Sequence, residues 1–284
     1  MSESFVFPLT SGVELPAFDS GACVWHSEQW AADRLLLRLG RQGPHYVAED
    51  TRYGTLIAAA DGTSHRFDAL AGADPLLVEK FVASLVRSLV RQLQGKLSLH
   101  GSVVAFGGNA VALVGSAFAG KSTFAHACVQ FAHAEFLADD TVAFVAESRA
   151  AWVEPVQRGT WLLAESRAFF GLAESAERKV LAEANVSHAA RPLRLVVLLT
   201  DADVDAPELR HVAGFDAFRL LLPHVFRFAH DDARLRRREL DALADVAPHL
   251  RVFQLRRKRD FETLRAQVAL IEQAVRDSAP SGAV

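Results

Sequence analysis

The sequence predicts an α/β protein with a small β-rich region at its N-terminal end. Three observations carry that expectation. An apolar strand pattern over 110–114 runs into a glycine loop and then into a helical pattern from Ser122. Strand, tight loop and helix in that order is the unit from which α/β sheets are built. Residues 193–200 are almost wholly apolar, as in a strand covered on both faces. Before them, the first 72 residues or so read as short β segments and turns.

Composition narrows the function classes. Half of the 284 residues are apolar, enough for one large domain or two small ones. A net charge of -3 excludes a general electrostatic nucleic-acid binder, and the apolar content excludes a disordered chain. Cys23 and Cys128 are too few for a disulfide framework or a four-cysteine zinc site. Cys128 lies in an apolar helical pattern and reads as a small core residue. The opening MSESFVFPLTSG lacks the basic and apolar regions of a signal peptide. The most apolar stretch, 103–120, is interrupted by Gly107, Gly108, Asn109 and Gly115 and does not read as a membrane helix. The expectation is a cytoplasmic protein with neither a membrane nor a nucleic acid as partner.

In chain order, strands are expected at 45–49, 55–59 and 64–70, the last two joined through Asp61-Gly62. Asp74-Pro75 opens a helix in which Leu77, Phe81, Leu85 and Leu89 recur at helical spacing, and Gly95 caps it. Residues 103–106 and 110–114 form a hairpin about Gly107-Gly108-Asn109. A helix follows over 122–134, then a short strand at 136–138 that ends in Asp139-Asp140. Strands are expected at 141–145 and 152–153, and helix over 160–170. The last third gives a helix over 217–227 broken at Pro223, a solvated helix over 231–247, a strand at 251–255 and an amphipathic helix over 261–276. The expected division is 1–95, β-rich with a linking helix, then 96–278, the catalytic α/β domain, then a frayed tail at 279–284.

Gly115-Ser116-Ala117-Phe118-Ala119-Gly120-Lys121-Ser122 matches the phosphate-binding pattern GxxxxGK[ST]. Glycines let successive N–H groups turn inward to make an anion nest. The helix beginning there points its positive end at the phosphates, and Thr123 lies in its first turn. Lys121 adds a full positive charge, and Ser122 a hydroxyl for Mg²⁺. Asp139-Asp140 stands at a strand's carboxyl end, where ligands of open α/β sheets sit. A phosphate-loop protein needs one carboxylate there for the metal, and a kinase acting on a hydroxyl needs a base. A turn or helix cap is the other reading of such a pair.

Taken together, Leu99-His100-Gly101, the hairpin, the glycine loop and Leu137-Ala138-Asp139-Asp140 resemble the catalytic domain of bacterial HPr kinase/phosphorylase and its relatives. That family is related in fold to phosphoenolpyruvate carboxykinase. The resemblance covers about residues 97–275, with Val153-Glu154-Pro155, Trp161-Leu162, Arg178-Lys179 and 252–256 agreeing more weakly. It implies an ATP- and Mg²⁺-dependent kinase of a Ser or Thr hydroxyl on a protein or peptide. Lys121 and the loop amides would hold phosphates, Ser122 and Asp139 the metal, Asp140 would be the base, and His100 would tune it. The acceptor it implies is HPr itself or a ribosomally made precursor peptide, such as one of the lasso type. Relatives are often hexameric, so a homo-oligomer is expected.

The sequence also departs from that family. Its phosphorylase-associated Glu-x-Arg-Gly-Leu-Gly run is absent, and Glu165-Ser166-Arg167 is the nearest remnant. Phosphorylase activity and one metal carboxylate are thereby in doubt, with Glu154 and Glu165 as candidates for the latter. Phe118 stands where small polar residues or glycine are usual and is expected to pack against protein. Lys179 reads either as a phosphate contact or as a solvated helix-end lysine. Arg256-Arg257-Lys258-Arg259 reads as a solvated connection. Two other readings are a kinase of a small hydroxylated metabolite and a nucleotide-binding regulator without turnover.

Overall fold

The computed structural model describes residues 15–147, 150–228 and 232–278. The expectations for the opening segment and for the 279–284 tail lie outside the described residues. The chain is a mixed α/β protein with several sheets, divided into two compact units. The first holds residues up to Ser98 together with Phe226–Ala242, and the second holds Leu99–Val225 and Leu243–Val284. The sequence suggests one boundary near Gly95. The chain divides close to it, at Ser98/Leu99, and also returns to the first unit over Phe226–Ala242.

The first unit is an antiparallel meander of β1 (Cys23–Ala31), β2 (Arg34–Gln42), β3 (His45–Asp50), β4 (Gly54–Ala58) and β5 (His65–Ala69). On one face it carries a helical segment: α1 (Pro75–Phe81), a π turn over Val82–Val86, and α2 (Arg87–Leu93). Asp74 caps α1 by accepting the Leu76 N–H, so Pro75 sits where no backbone donor is needed. Leu39, Leu56 and Phe67 of the sheet pack with Val86, Leu89 and Leu93, and with Phe228 and Leu235 of the returning segment. Leu15, Val47 and Ile57 form a smaller cluster with Phe18, Cys23 and Trp25.

Strand β6 (Ser98–Leu99) lies at the junction between the two stretches of chain. The second unit continues with β7 (Gly101–Phe106), β8 (Asn109–Val114), α3 (Lys121–Ala132), β9 (Glu135–Ala138), β10 (Val142–Glu147) and β11 (Ala150–Val153). Then come β12 (Gly159–Leu163), α4 (Ala164–Phe169), β13 (Lys179–Glu183), β14 (Arg191–Asp201) and β15 (Glu208–Val212). It ends with α5 (Gly214–Leu221), β16 (Arg251–Arg257) and α7 (Leu264–Arg276), while most of α6 (Ala233–Val246) belongs to the first unit. Pro223 lies in a 3-10 turn, Leu222–His224, directly after α5.

Its large sheet centres on β14, which runs parallel to β8 on one side and to β16 on the other. Leu195 to Val197 are fully buried there, which explains the unbroken apolar run. β7 pairs antiparallel with β8, and β9 antiparallel with β7. Phe124, Cys128 and Phe136 share a core with Val197, Leu255 and Ile271, so α3, the sheet and α7 close on each other. Cys128 is fully buried, and burial pushes its thiol well above the usual range.

One expected helix is a strand at its start. Residues 159–163 form β12, which pairs antiparallel with β13, and helix begins only at Ala164. Apolar runs of this length do not reveal their period, and the partner strand decides the conformation. Among the described residues, no helix is long and apolar enough to cross a membrane.

Candidate active site

Strand register brings the distant motifs to one sheet edge. Gly101 at the start of β7 lies opposite Val114 at the end of β8. Val103 lies opposite Ala138 at the end of β9. His100, the loop after Val114 and the Asp139-Asp140 pair therefore leave the sheet on the same side. Gly101 has to be glycine, because a Cβ there would come within 2.7 Å of the Leu113 carbonyl oxygen. The parallel partner β14 adds its Leu198 opposite Val114.

The loop curls tightly. Phe118 and Gly120 both take left-handed backbone, with φ of 63° and 84°. Two arginines hold it from outside: Arg257 Nη2 donates to the Ala119 oxygen at 2.6 Å and Arg259 Nη1 to the Phe118 oxygen at 2.8 Å. At Arg257 the expected solvated connection is corrected, while Lys258 and Arg259 are half-exposed. At the end of β16, Leu255 and Arg257 are buried on either side of the more open Arg256. Phe118 is corrected too: it is 63% exposed and does not pack into the core. Left-handed backbone at the loop crest turns its ring outward.

Lys121 is buried at the start of α3, and its Nζ donates to the Gly115 oxygen at 3.0 Å and the Ser116 oxygen at 2.8 Å. Burial pushes the ammonium below its ordinary range, the Asp140 and Asp139 carboxylates pull it back up, and Lys179 pushes it down. Ser122 Oγ donates to Asp139 Oδ1 at 2.9 Å. The same oxygen accepts Ser102 Oγ at 2.6 Å, and Oδ2 accepts the Trp161 N–H at 3.1 Å. The Asp139 N–H in turn donates to Gln157 Oε1. Burial, and then the Asp140 charge, push the Asp139 carboxyl above its ordinary range, against the pull of these donors.

Asp140 takes φ of 64°, an uncommon conformation for a residue with a side chain. Its carbonyl lies 3.0 Å from His100 Nδ1. Burial and the Lys121 charge lower the His100 pKa, and Asp140 opposes them. The net direction leaves the imidazole neutral at pH 7.

A cleft of about 180 Å³ is lined by His100, Lys121, Ser122, Asp140, Trp161 and Lys179, among others. Ala117, Phe118, Gly120 and Thr123 of the expected nucleotide set also line it. Asp139 lies beneath, 1% exposed, and reaches the cleft through Ser122. Gly115, Ser116 and Ala119 contribute backbone: the first two hold Lys121, and Ala119 is held by Arg257. Lys179 opens strand β13 opposite Leu163, which also lines the cleft. It is not the end of a helix.

No protein-family model matches the chain, and no curated protein matches it. Among solved structures, the Hpr(Ser) kinase/phosphatase from Coxiella burnetii is similar over 63% of this chain and 94% of its own, at 15% identity and a TM-score of 0.33. A likeness that distant fixes neither an activity nor the role of any residue.

Sequence reasoning missed several contributors. Ser102 and Gln157 secure Asp139 from β7 and from the segment before β12. A lone hydroxyl in an otherwise apolar, wholly buried strand needs a partner, and that is the signal that would have singled out Ser102. Of the absent phosphorylase run's nearest remnant, Arg167 is buried and donates to the Leu162, Ser175 and Glu177 carbonyls. Glu165 lines a different cleft, beyond Phe118.

Proposed function

We propose that the chain is a Mg²⁺-dependent phosphotransferase that moves the terminal phosphoryl group of a nucleoside triphosphate to a hydroxyl on a protein or peptide. The observation that carries this reading is the meeting of Lys121, the Ser122–Asp139 pair and Asp140 with His100 around one cleft. The acceptor class, HPr-like or precursor peptide, is supported by the motif order of the sequence.

The donor set suits a hard cation. Ser122 Oγ and the Asp139 carboxylate would hold it and offer only oxygen, the chemistry Mg²⁺ prefers beside phosphates. Bound there, Mg²⁺ would supply charge neutralisation of the phosphate oxygens. Lys121 leaves the Gly115 and Ser116 carbonyls and turns to the phosphates, where its charge opposes the charge of the transition state. The acceptor's O–H gives its proton to the Asp140 carboxylate as the new O–P bond forms. The bond from the terminal phosphorus to its bridging oxygen breaks, and a nucleoside diphosphate leaves. His100, against Asp140, holds that aspartate's backbone in its left-handed turn.

The test is a transfer assay with γ-labelled ATP, Mg²⁺ and lysate from the protein's own source, beside Lys121→Ala and Asp140→Asn. Label in one polypeptide, lost in both variants, is the expected result. Label confined to small molecules moves the reading to a metabolite kinase. Nucleotide binding without transfer to any acceptor would favour a regulator.

A further inference from the structure

A second cleft, of about 430 Å³, opens on the far side of Phe118. It shares Phe118, Gly120, Thr123 and Leu163 with the first. The phosphate loop is thus the wall between them. The other walls differ in chemistry. His100, Asp140 and Lys179 line only the first cleft, whereas Glu165, Arg257, Arg259, Phe261 and Leu264 line only the second. A polyphosphate seated on the loop with its reacting end at Asp140 therefore has its other end directed to this second cleft.

The second cleft has the makings of an aromatic-base site. Phe261 stacks on Phe169 with ring centroids 4.4 Å apart and planes within 17°, so the ring is fixed in place. Leu264 and Leu163 extend the apolar wall. Arg257 is 3% exposed, and its Nε has no hydrogen-bond partner among the described residues. It and Arg259 bring positive charge to the side of the loop away from Asp140, with Asp260 of the same lining offsetting part of it. Glu165, exposed at the start of α4, brings a carboxylate that can accept from sugar hydroxyls.

We propose that this second cleft is the nucleoside subsite of the phosphate donor, with the base against Phe261 and Glu165 as acceptor for the ribose hydroxyls. This rests on the phosphotransferase reading, and it adds where the nucleoside of the donor sits and which side chains receive it.

The experiment is calorimetric titration of the full chain, in Mg²⁺ buffer, with ATP and with inorganic tripolyphosphate. Wild type binds ATP at least tenfold more tightly than tripolyphosphate, the size expected of one stacked base. Phe261→Ala loses about tenfold in ATP affinity and keeps tripolyphosphate affinity within about twofold. Phe261→Leu, which retains an apolar side chain beside Phe169, falls between them. Retained tripolyphosphate binding shows that the variants fold. Equal wild-type affinity for both ligands, or a Phe261→Ala effect that is the same on both, overturns the nucleoside subsite and leaves the phosphate site standing. Failure of wild type to bind either ligand overturns the phosphotransferase reading, and the subsite falls with it.

Discussion

Lys179 is a cation in the first cleft, and its charge acts on Lys121 across it. Replacing it should cost binding and spare the fold. Lys179→Met is expected to weaken tripolyphosphate binding about tenfold, the size of one charge-assisted hydrogen bond, with the melting temperature unchanged. An unchanged binding isotherm would return Lys179 to the solvated reading. Ser102 acts at one remove, because it touches Asp139 and not the cleft. Ser102→Ala leaves Asp139 the Ser122 and Trp161 donors only. It is expected to lower kcat about tenfold with KM within twofold, since the loss of one buried donor is worth about 1–2 kcal/mol. A KM effect of the same size as the kcat effect would contradict a positioning role. At this scale the candidate site was legible where residue type and spacing alone declare it: the glycines, Lys121, Ser122 and the aspartate pair. Arg257 was not, since four basic residues in a row read as a solvated stretch. Only strand alternation, which puts 255 and 257 on the inner face, separates it from its neighbours.

Packing of faces stabilises most of each element, and side-chain caps fix its ends. Asp232 precedes α6 and accepts the Arg234 and Leu235 N–H groups. Its other oxygen accepts the Tyr46 hydroxyl at 2.7 Å and Arg41 Nη2 at 2.9 Å, fastening the helix start to β3 and β2. Burial alone would raise this carboxyl, but the Tyr46, Leu235, Arg41 and Arg234 donors outweigh it and hold the pKa at about 2. A depressed carboxyl stabilises the fold above its unfolded pKa and ceases to do so as pH falls through the folded one. Asp232→Asn keeps a good cap and removes the charge. Wild type is therefore expected to exceed the variant by about 1–2 kcal/mol at pH 7, after allowance for solvent screening, with the gap closing between about pH 4 and pH 2. Denaturant unfolding at both ends of that window measures it, and equal stabilities at pH 7 would contradict it. Helices were the legible elements here: the spacing from Leu77 to Leu89 and the amphipathic pattern of α7 carry their own period. β12 was not, because its conformation is set by pairing with β13, sixteen positions downstream at Leu163 and Lys179.

The first unit is completed by a piece of chain that arrives after most of the second has been made. Phe228 and Leu235, in that returning piece, belong to the cluster built on Leu39, Leu56 and Leu89. A fragment beginning at Leu99 would carry those side chains without their sheet. It is expected to aggregate, and to become monodisperse in size-exclusion chromatography when residues 226–242 are replaced by a polar linker. A monodisperse unmodified fragment would show that the returning segment needs no partner. Sequence composition marks such a segment poorly, since nothing local distinguishes a helix that returns to an earlier sheet from one that stays. The reactive groups follow the opposite plan. Positions 100 to 140 supply the histidine, the loop, its lysine and serine, and both aspartates from one unbroken stretch of hairpin, helix and strand. Contacts between near neighbours in sequence close quickly during folding. The part of the candidate site that this stretch supplies can thus close by local contacts before Gln157, Trp161 and Lys179 reach it from later in the chain.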